Sequence, residues 1–581
     1  MNVADYVARF ASRLGVRHLF GVGGANIEDV YDALARAPGA RGVLAKHEFS
    51  AATMADGYSR ATGELGVVLA TSGGGALNLV PALGEAHASG VPVLALVGQP
   101  PTAAEGRGAF QDTSGLADSL DAVPLFASVS RYCRKIDRAA GFQRHLHDAV
   151  AAALSDRRGP AVLLLPKDVQ QAEIDPSDPF HDVLPSLPRR TPVDESAVQR
   201  AAAMLAGPEV GRPPRVLVIA GDGVARHDAR AELASIVRAL DAHVAVTPDG
   251  RDVFDNHDPR FAGVVGIMGH PGVGARLDAA TVCLVVGTRL PQLARMGLEP
   301  ALLARRLVHV HCQPSFLDPA ALAHAPVELL GDIRELLRAL CALLPVRGAT
   351  ALPPSSQAHL PSTFLAGSLG AAMPFRATLE VLGAELPDDA NVFVDAGNTG
   401  ASAVHFLKAP SRGRFVVALG MGGMGYSFGA AIGAAFANGK PTYVLAGDGA
   451  FFMHGLEIHT AIEHQLPITF VLFNNNAHAM CFVREQLYYR GDYSFNRFRP
   501  SHLGAGLEAM FPTLAVPAAT TPDELRAGLR DARRHGGPRV ISVEVDAREV
   551  PPFAPFLLAL EKKSAAPTRG LHDEDRRKQA G

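Results

Sequence analysis

The sequence predicts an α/β protein built from three doubly wound parallel-sheet domains, and three observations carry that expectation. The chain has 581 residues, 48% of them hydrophobic, more than one core organises and about the length of three domains. Two stretches rich in proline with charge or small residues, 175–192 and 349–373, read as linkers. Between them each block alternates short apolar runs with amphipathic helical patterns, as sheets covered on both faces require. The expected domains are 1–175, 191–346 and 374–560, and the polar tail 561–581 reads as disordered.

In the first block, Leu19 and Phe20 belong to a strand that runs into the glycine-rich turn Gly21 to Asn26. Arg41 to Ala45 is a second strand, delivering Lys46, His47 and Glu48. Ala51 to Arg60 reads as a helix of small residues, and 66–70 and 93–97 as buried strands. The second block has such runs at 216–219 and 282–286. In the third, a strand from Arg414 to Leu419 precedes a glycine-rich turn and a helix. Pro441 to Gly447 is an apolar strand with Asp448 at its end, 451–465 a helix, and Pro467 to Phe473 a strand ending in Asn474, Asn475 and Asn476.

Asp448, inside the triplet Gly447-Asp448-Gly449, stands 27 residues before Asn475. Two neighbouring strand ends would thus present a carboxylate and an amide oxygen to one crevice, where glycine lets a ligand approach the backbone. Magnesium takes hard oxygen ligands in octahedral array and keeps phosphate oxygens among them, so the pair reads as half of a metal and diphosphate clamp. The triplet alone is not specific, since Gly221-Asp222-Gly223 repeats it with no amide run downstream. Three rival patterns are present. Gly420, Gly422 and Gly425 spell a dinucleotide fingerprint, with Asp448 where a ribose-binding acid belongs, but a nicotinamide dehydrogenase would leave Glu48 and the amides without roles. Gly425, Ser427 and Gly429 spell a nucleophile elbow, with Ser427 placed inside the helix rather than on a strained turn. His454, Glu457 and His459 approach a zinc-helix pattern at an unfitting spacing.

Together the motifs resemble the thiamine diphosphate-dependent superfamily that includes acetohydroxyacid (acetolactate) synthase, pyruvate decarboxylase and benzaldehyde lyase, over residues 1–560. The resemblance implies a pyrimidine-binding first domain, a central domain and a diphosphate-binding third domain. It makes Glu48 the catalytic carboxyl that bonds the aminopyrimidine and drives the imino form that takes the thiazolium C2 proton; such a group is expected to be partly desolvated, with its pKa raised. Met424 becomes the apolar wedge that bends the cofactor, with the Gly422 carbonyl and the Met424 amide on the pyrimidine edge. Asn398, Thr399, Gly447, Gly449, Ala450, His478, Ala479 and Met480 fall on further cofactor-binding positions, and Asp448, Asn475 and the Ala477 carbonyl on the magnesium ligands.

For substrate, the resemblance points to Ala25 and Asn26 on the first turn, Phe110 and Gln111 on a loop, and Met480 and Arg484 above the cofactor. A glutamine at 111 is neutral and orients a carbonyl without protonating a carbanion, which favours carbon–carbon bond formation. Arg484 stands where acetohydroxyacid synthases carry a tryptophan, and this chain has none; an arginine suits a carboxylate or phosphate on an acceptor. The expected activity is a carboligase that decarboxylates a 2-oxo acid and adds the acyl carbon to an acceptor carbonyl. The alternatives are a 2-oxo acid decarboxylase or aldehyde lyase, and a non-catalytic paralogue subunit. The resemblance further implies a homodimer or homotetramer with sites between subunits, and a central domain that either binds FAD or is empty. Arg215 to Gly223 and Gly266 to Gly272 look like the flavin-binding versions, while Val308 to Pro314 lacks the acidic residues that often precede this proline.

Composition excludes other classes. A net charge of −3 offers no footprint for nucleic acid or an anionic membrane. Five widely spaced cysteines without a CxxC favour a reducing cytoplasm, and no signal peptide is apparent. The charge-free run 415–439 holds seven glycines and reads as a buried strand-turn-helix unit rather than a membrane span.

Overall fold

The computed structural model describes residues 1–184, 191–208, 213–345, 347, 358–368, 372–489 and 495–565. Three six-stranded parallel sheets organise the chain. Their strands are short and buried on both faces, because helices cover each side: 66–70, 93–99, 216–220, 282–286 and 468–474 are buried throughout. Phenylalanines such as Phe20, Phe428 and Phe470 are fully enclosed, each contributing roughly 1.5–3 kcal/mol of burial.

The first sheet runs 41–44, 18–21, 66–70, 93–99, 161–166, 132–135 across its width, and the third runs 414–417, 391–394, 442–447, 468–474, 539–544, 518–519. Numbered from their own first strands, both have the order 2-1-3-4-6-5. The central sheet has 327–330, 306–311, 282–286, 216–220, 243–246 and 261–264 side by side, the order typical of dinucleotide-binding folds. Parts of both expected linkers, and 566–581 of the expected disordered tail, lie outside the described residues; 561–565 belong to the helix Ala554–Ala565.

Two helices, Glu48–Thr62 and Tyr426–Asn438, join the first and third sheets. They cross so closely that a Cβ on Gly57 would collide with the Ala430 carbonyl, and one on Gly433 with that of Met54. Only glycine permits this approach. The central sheet is tied in by Asp222, whose carboxylate meets Arg414 at 3.0 Å, Arg226 at 3.0 Å and Arg60 at 3.8 Å, one from each unit. Burial opposes ionisation of Asp222, and the three guanidiniums outweigh it, holding the carboxyl below its usual range. The second Gly-Asp-Gly triplet is therefore a strut between units.

Local details correct two expectations. The helix expected from Ala51 already opens at Glu48, with His47 as its N-cap accepting from the Phe49 amide at 3.0 Å. The helix expected over 451–465 is broken: Asp448–His454 is followed by a tight turn at Gly455–Glu457 and a second helix, Ile458–Glu463. Among the described residues no helix is long and apolar enough to cross a membrane.

Candidate functional site

One half of the site is built on the first sheet. The strand 66–70 runs through the turn Thr71 to Gly73 into the helix Gly74–Ser89, beside the point where the chain switches from the 18–21 strand to its neighbours. Glu48, half-buried, sits against the start of this helix: a Cβ on Gly75 would lie 3.0 Å from its Oε1. Its Oε2 accepts from Asn78 Nδ2 at 2.9 Å. Asn26 donates from its backbone amide to Thr71 Oγ1 at 3.3 Å and from Nδ2 to Ser72 Oγ at 2.7 Å. Thr71 Oγ1 in turn donates to Gln111 Oε1 at 3.4 Å. Gln111 is held at φ +59°, a left-handed conformation that a non-glycine residue adopts only at a cost. Gly73, at φ +62°, leaves the room Gln111 needs, since a Cβ there would be 2.8 Å from the glutamine's own. Thus Glu48, Asn26 and Gln111 surround one turn. Ala25 and Phe110 are exposed at its rim, Phe110 at 77%.

The other half lies on the third sheet, where strands 442–447 and 468–474 pair in parallel with Gly447 opposite Phe473. Asp448 is 1% exposed. Its Oδ1 accepts from the Gly449 amide at 3.1 Å and its Oδ2 from the Ala477 amide at 3.2 Å. Asn475 Oδ1 accepts from that same Ala477 amide at 3.1 Å. Two oxygens share one donor, so each keeps a lone pair for a cation. Burial pushes the Asp448 carboxyl up to about 6, against the pull of the surrounding backbone amides. Of the other two amides, Asn474 donates through Nδ2 to Glu544 and the Ser501 carbonyl while its Oδ1 is buried without a partner, and Asn476 accepts from Ser501. It is the Ala477 amide, rather than its carbonyl, that meets Asp448 and Asn475 here.

Around this pair, a Cβ on Gly449 would lie 2.6 Å from His478 Nδ1 and 3.1 Å from Met424 Cε, so a larger residue would displace the His478 ring. His478 Nδ1 and Asn398 Oδ1 are buried with no hydrogen-bond partner, polar atoms that a ligand would satisfy. Thr399 Oγ1 is 3.7 Å from a Cβ on Gly447, and Ala450 is buried in the helix that Asp448 opens. Ala479 and Met480 begin the helix Ala479–Tyr488, on which Arg484 is exposed. Gly422, at φ +66°, has open space around it. Among the described contacts none joins Glu48 to Asp448, Asn475 or Met424; beside the crossed helices that join the halves, Phe49 stacks on His454 at 4.3 Å.

Sequence reading missed three residues. Asp395, 1% exposed, accepts from the Gly425 and Ser427 amides and from Ser427 Oγ; its place at the end of an apolar run was the available signal. Glu85, 3% exposed, accepts from the Gly420 and Met421 amides; its signal was a lone acid in an apolar helix. Phe498 packs against His478 and Phe452, with no signal at all. The rival motifs lose their chemistry. Ser427 is fully buried and bonded to Asp395. Glu457 accepts from the Lys46 amide and Thr460 Oγ1 instead of joining His454 and His459. Among the described residues the one grouping with metal-like spacing is His270, His359 and His405, in which the Val264 and Leu360 amides already donate to His270 and His405.

Three family models match the chain: the thiamine pyrophosphate enzyme N-terminal TPP binding domain over 1–120, the central domain over 198–340, and the C-terminal TPP binding domain over 395–543. The protein named "Probable acetolactate synthase large subunit" of Methanocaldococcus jannaschii is 28% identical over 577 residues, covering 96% of this chain and 94% of that one. The acetolactate synthase isozyme 2 large subunit of Escherichia coli is 28% identical over 570 residues, covering 97% of this chain and all (100%) of the other. The crystal structure of benzoylformate decarboxylase from Polynucleobacter necessarius superposes with a TM-score of 0.79 at 20% identity, over 95% of this chain and 100% of that one.

Proposed function

The chain belongs to the thiamine pyrophosphate enzyme family, and on that premise we propose that it is a carboligase of the acetolactate synthase type, joining the acyl carbon of a 2-oxo acid to an acceptor carbonyl. The observation that carries the reading is the convergence of Glu48, Gln111 and Asn26 on the turn Thr71 to Gly73 and the start of the helix that follows it. In this reading a proton-handling carboxyl and a neutral amide flank one turn, and the amide would orient a carbonyl without protonating a carbanion.

When bound, thiamine diphosphate supplies an electron sink for the carbon freed as a 2-oxo acid loses carbon dioxide. Glu48 would hold the proton shared with the pyrimidine at Oε1, since Asn78 occupies Oε2. Asp448 and Asn475, with the Ala477 carbonyl, would hold magnesium; Gly447, Gly449, Ala450, Asn398, Thr399, His478 and Ala479 would line the diphosphate. The two orphaned polar atoms and the close approach at Gly449 support that fit. Gly422 and Met424 would take the pyrimidine edge. Gln111 would orient the acceptor carbonyl, with Ala25, Asn26, Phe110 and Met480 shaping the pocket and Arg484 receiving an anionic acceptor.

A homodimer or homotetramer completes this site in our reading. Glu48 makes no described contact with the diphosphate half, and Phe110, Met421, Phe452, Met453 and Leu456 expose large apolar side chains beside the motifs, as an interface would require. The central crevice, of about 360 Å³, opens at the switch point of its sheet among Arg131, Arg157, Arg226 and Arg289; we assign it to a phosphate-bearing nucleotide, FAD being the one that the family resemblance suggests. Five unpaired cysteines support a cytoplasmic setting.

The test is incubation of the purified protein with thiamine diphosphate, magnesium and a panel of 2-oxo acids, with and without aldehyde or 2-oxo acid acceptors. Hydroxyketone products are expected. Aldehyde release unaffected by acceptors would replace the carboligase with a decarboxylase.

A further inference from the structure

The turn 420–424, which our functional reading places at the pyrimidine edge, hangs between two carboxylates. At its far end Asp395, from its own sheet, accepts from the Gly425 amide at 2.9 Å and the Ser427 amide at 3.0 Å. At its near end the holding group comes from another unit. Glu85, in the helix Gly74–Ser89 of the first unit, accepts from the Gly420 amide at 3.2 Å through Oε1 and from the Met421 amide at 2.6 Å through Oε2. Ser89 Oγ donates to the same Oε1 at 2.7 Å, and Arg60 stands 3.6 Å away. The turn is pressed onto this helix: a Cβ on Gly420 would lie 2.9 Å from the Ala88 Cβ. Between its tethered ends it is open, with Met421 65% exposed and nothing near Gly422.

The same helix carries Asn78, the donor to Glu48 Oε2. Seven residues separate Asn78 from Glu85, about 10 Å along a helix. One rigid element thus grips the glutamate with one side chain and the wedge turn with another. A carboxylate buried against two backbone amides makes short, directional, charge-assisted bonds, which fix where a turn stands.

We propose that Glu85 is a positioning residue for the cofactor's pyrimidine end: it fixes where the turn Gly420 to Met424 stands on the helix Gly74–Ser89. The proposal rests on the reading of Glu48 and Met424 given above. It predicts that shortening the side chain matters even when its charge is kept.

The experiment uses Glu85→Ala and Glu85→Asp in the full chain. In cofactor-free protein, amide hydrogen exchange across 415–424 should quicken in both relative to the wild type. At saturating thiamine diphosphate and magnesium, exchange of the cofactor's C2 proton should slow about 10²-fold in Glu85→Ala, the cost of a misplacement of roughly 1 Å, and by an intermediate factor in Glu85→Asp. Glu85→Asp keeps the charge beside Arg60, so it remains a test if Glu85→Ala does not fold. Wild-type C2 exchange per bound cofactor in both variants, or unchanged amide exchange, overturns the proposal. A wild-type protein that binds no thiamine diphosphate overturns the functional reading and this proposal with it; normal wild-type binding with unaffected variants removes the proposal alone.

Discussion

The first and third sheets share one strand order and one placement of their key turns at the C-terminal strand ends, yet they hold their carboxylates in opposite ways. Glu48 is half-buried and steadied by a side-chain amide. Asp448 is enclosed and steadied by backbone amides, and Asp395 and Glu549 nearby are buried too. The difference suits the tasks we propose for them. A group that passes a proton needs a changeable environment, whereas one that gathers a cation and a diphosphate needs fixed oxygens and little water.

Breaking the enclosed half should have the largest effect. Asp448→Ala removes the only charge offered to magnesium by the proposed ligands, so cofactor retention should be lost while far-ultraviolet dichroism stays that of the wild type. Titration calorimetry showing undiminished affinity would mean the enclosed carboxylate serves the fold alone.

The half-buried side should fail differently. Glu48→Gln should still bind magnesium and cofactor but slow C2 proton exchange by about 10²–10⁴-fold, the usual reach of general acid-base assistance. Quenched NMR of the bound cofactor reads this directly. An unchanged rate would erase the contrast between the halves and favour a non-catalytic paralogue.

A smaller effect sharpens the comparison through pH. Burial raises Glu549 to about 7 from an ordinary 4.5, and neighbouring Asp546 adds to the rise. A carboxyl whose folded pKa is raised contributes stability that is complete below pH 4.5 and lost as pH climbs through 7. Glu549→Gln should therefore match the wild type near pH 4.5 and exceed it by about 1–3 kcal/mol at pH 8, measured by urea unfolding at both values. The smallest effect is expected at Arg484, which is exposed: Arg484→Ala should weaken use of an anionic acceptor by about 0.2–1 kcal/mol, the range of a solvent-screened pair, and leave donor decarboxylation alone. Equal losses in both half-reactions would point to the helix rather than to the acceptor.

What the sequence made legible was local. Apolar runs ending in Asp448 and Asn475 announced both strands and the side chains at their tips, since period and turn chemistry are properties of neighbours. The three-sheet architecture followed from the same alternation. Glu85 and Asp395 were invisible for the opposite reason: a carboxylate's partner here is a backbone amide 335 or 30 residues away, and every residue carries such an amide. The helix was expected only from Ala51 although it opens at Glu48, because its N-cap is His47 rather than one of the usual capping residues. The break at Gly455 was missed because glycine alone marks it within an otherwise helical pattern.

The crossing of the helices Glu48–Thr62 and Tyr426–Asn438 has a consequence for how this enzyme can diversify. At Gly57 and Gly433 even a methyl group strikes the opposing backbone, so the seam offers substitution nowhere to go. Variation is left to positions whose side chains face open space, such as Ala25, Phe110 and Arg484. A lineage built on this frame can vary those exposed positions from one descendant to the next while inheriting the seam letter for letter.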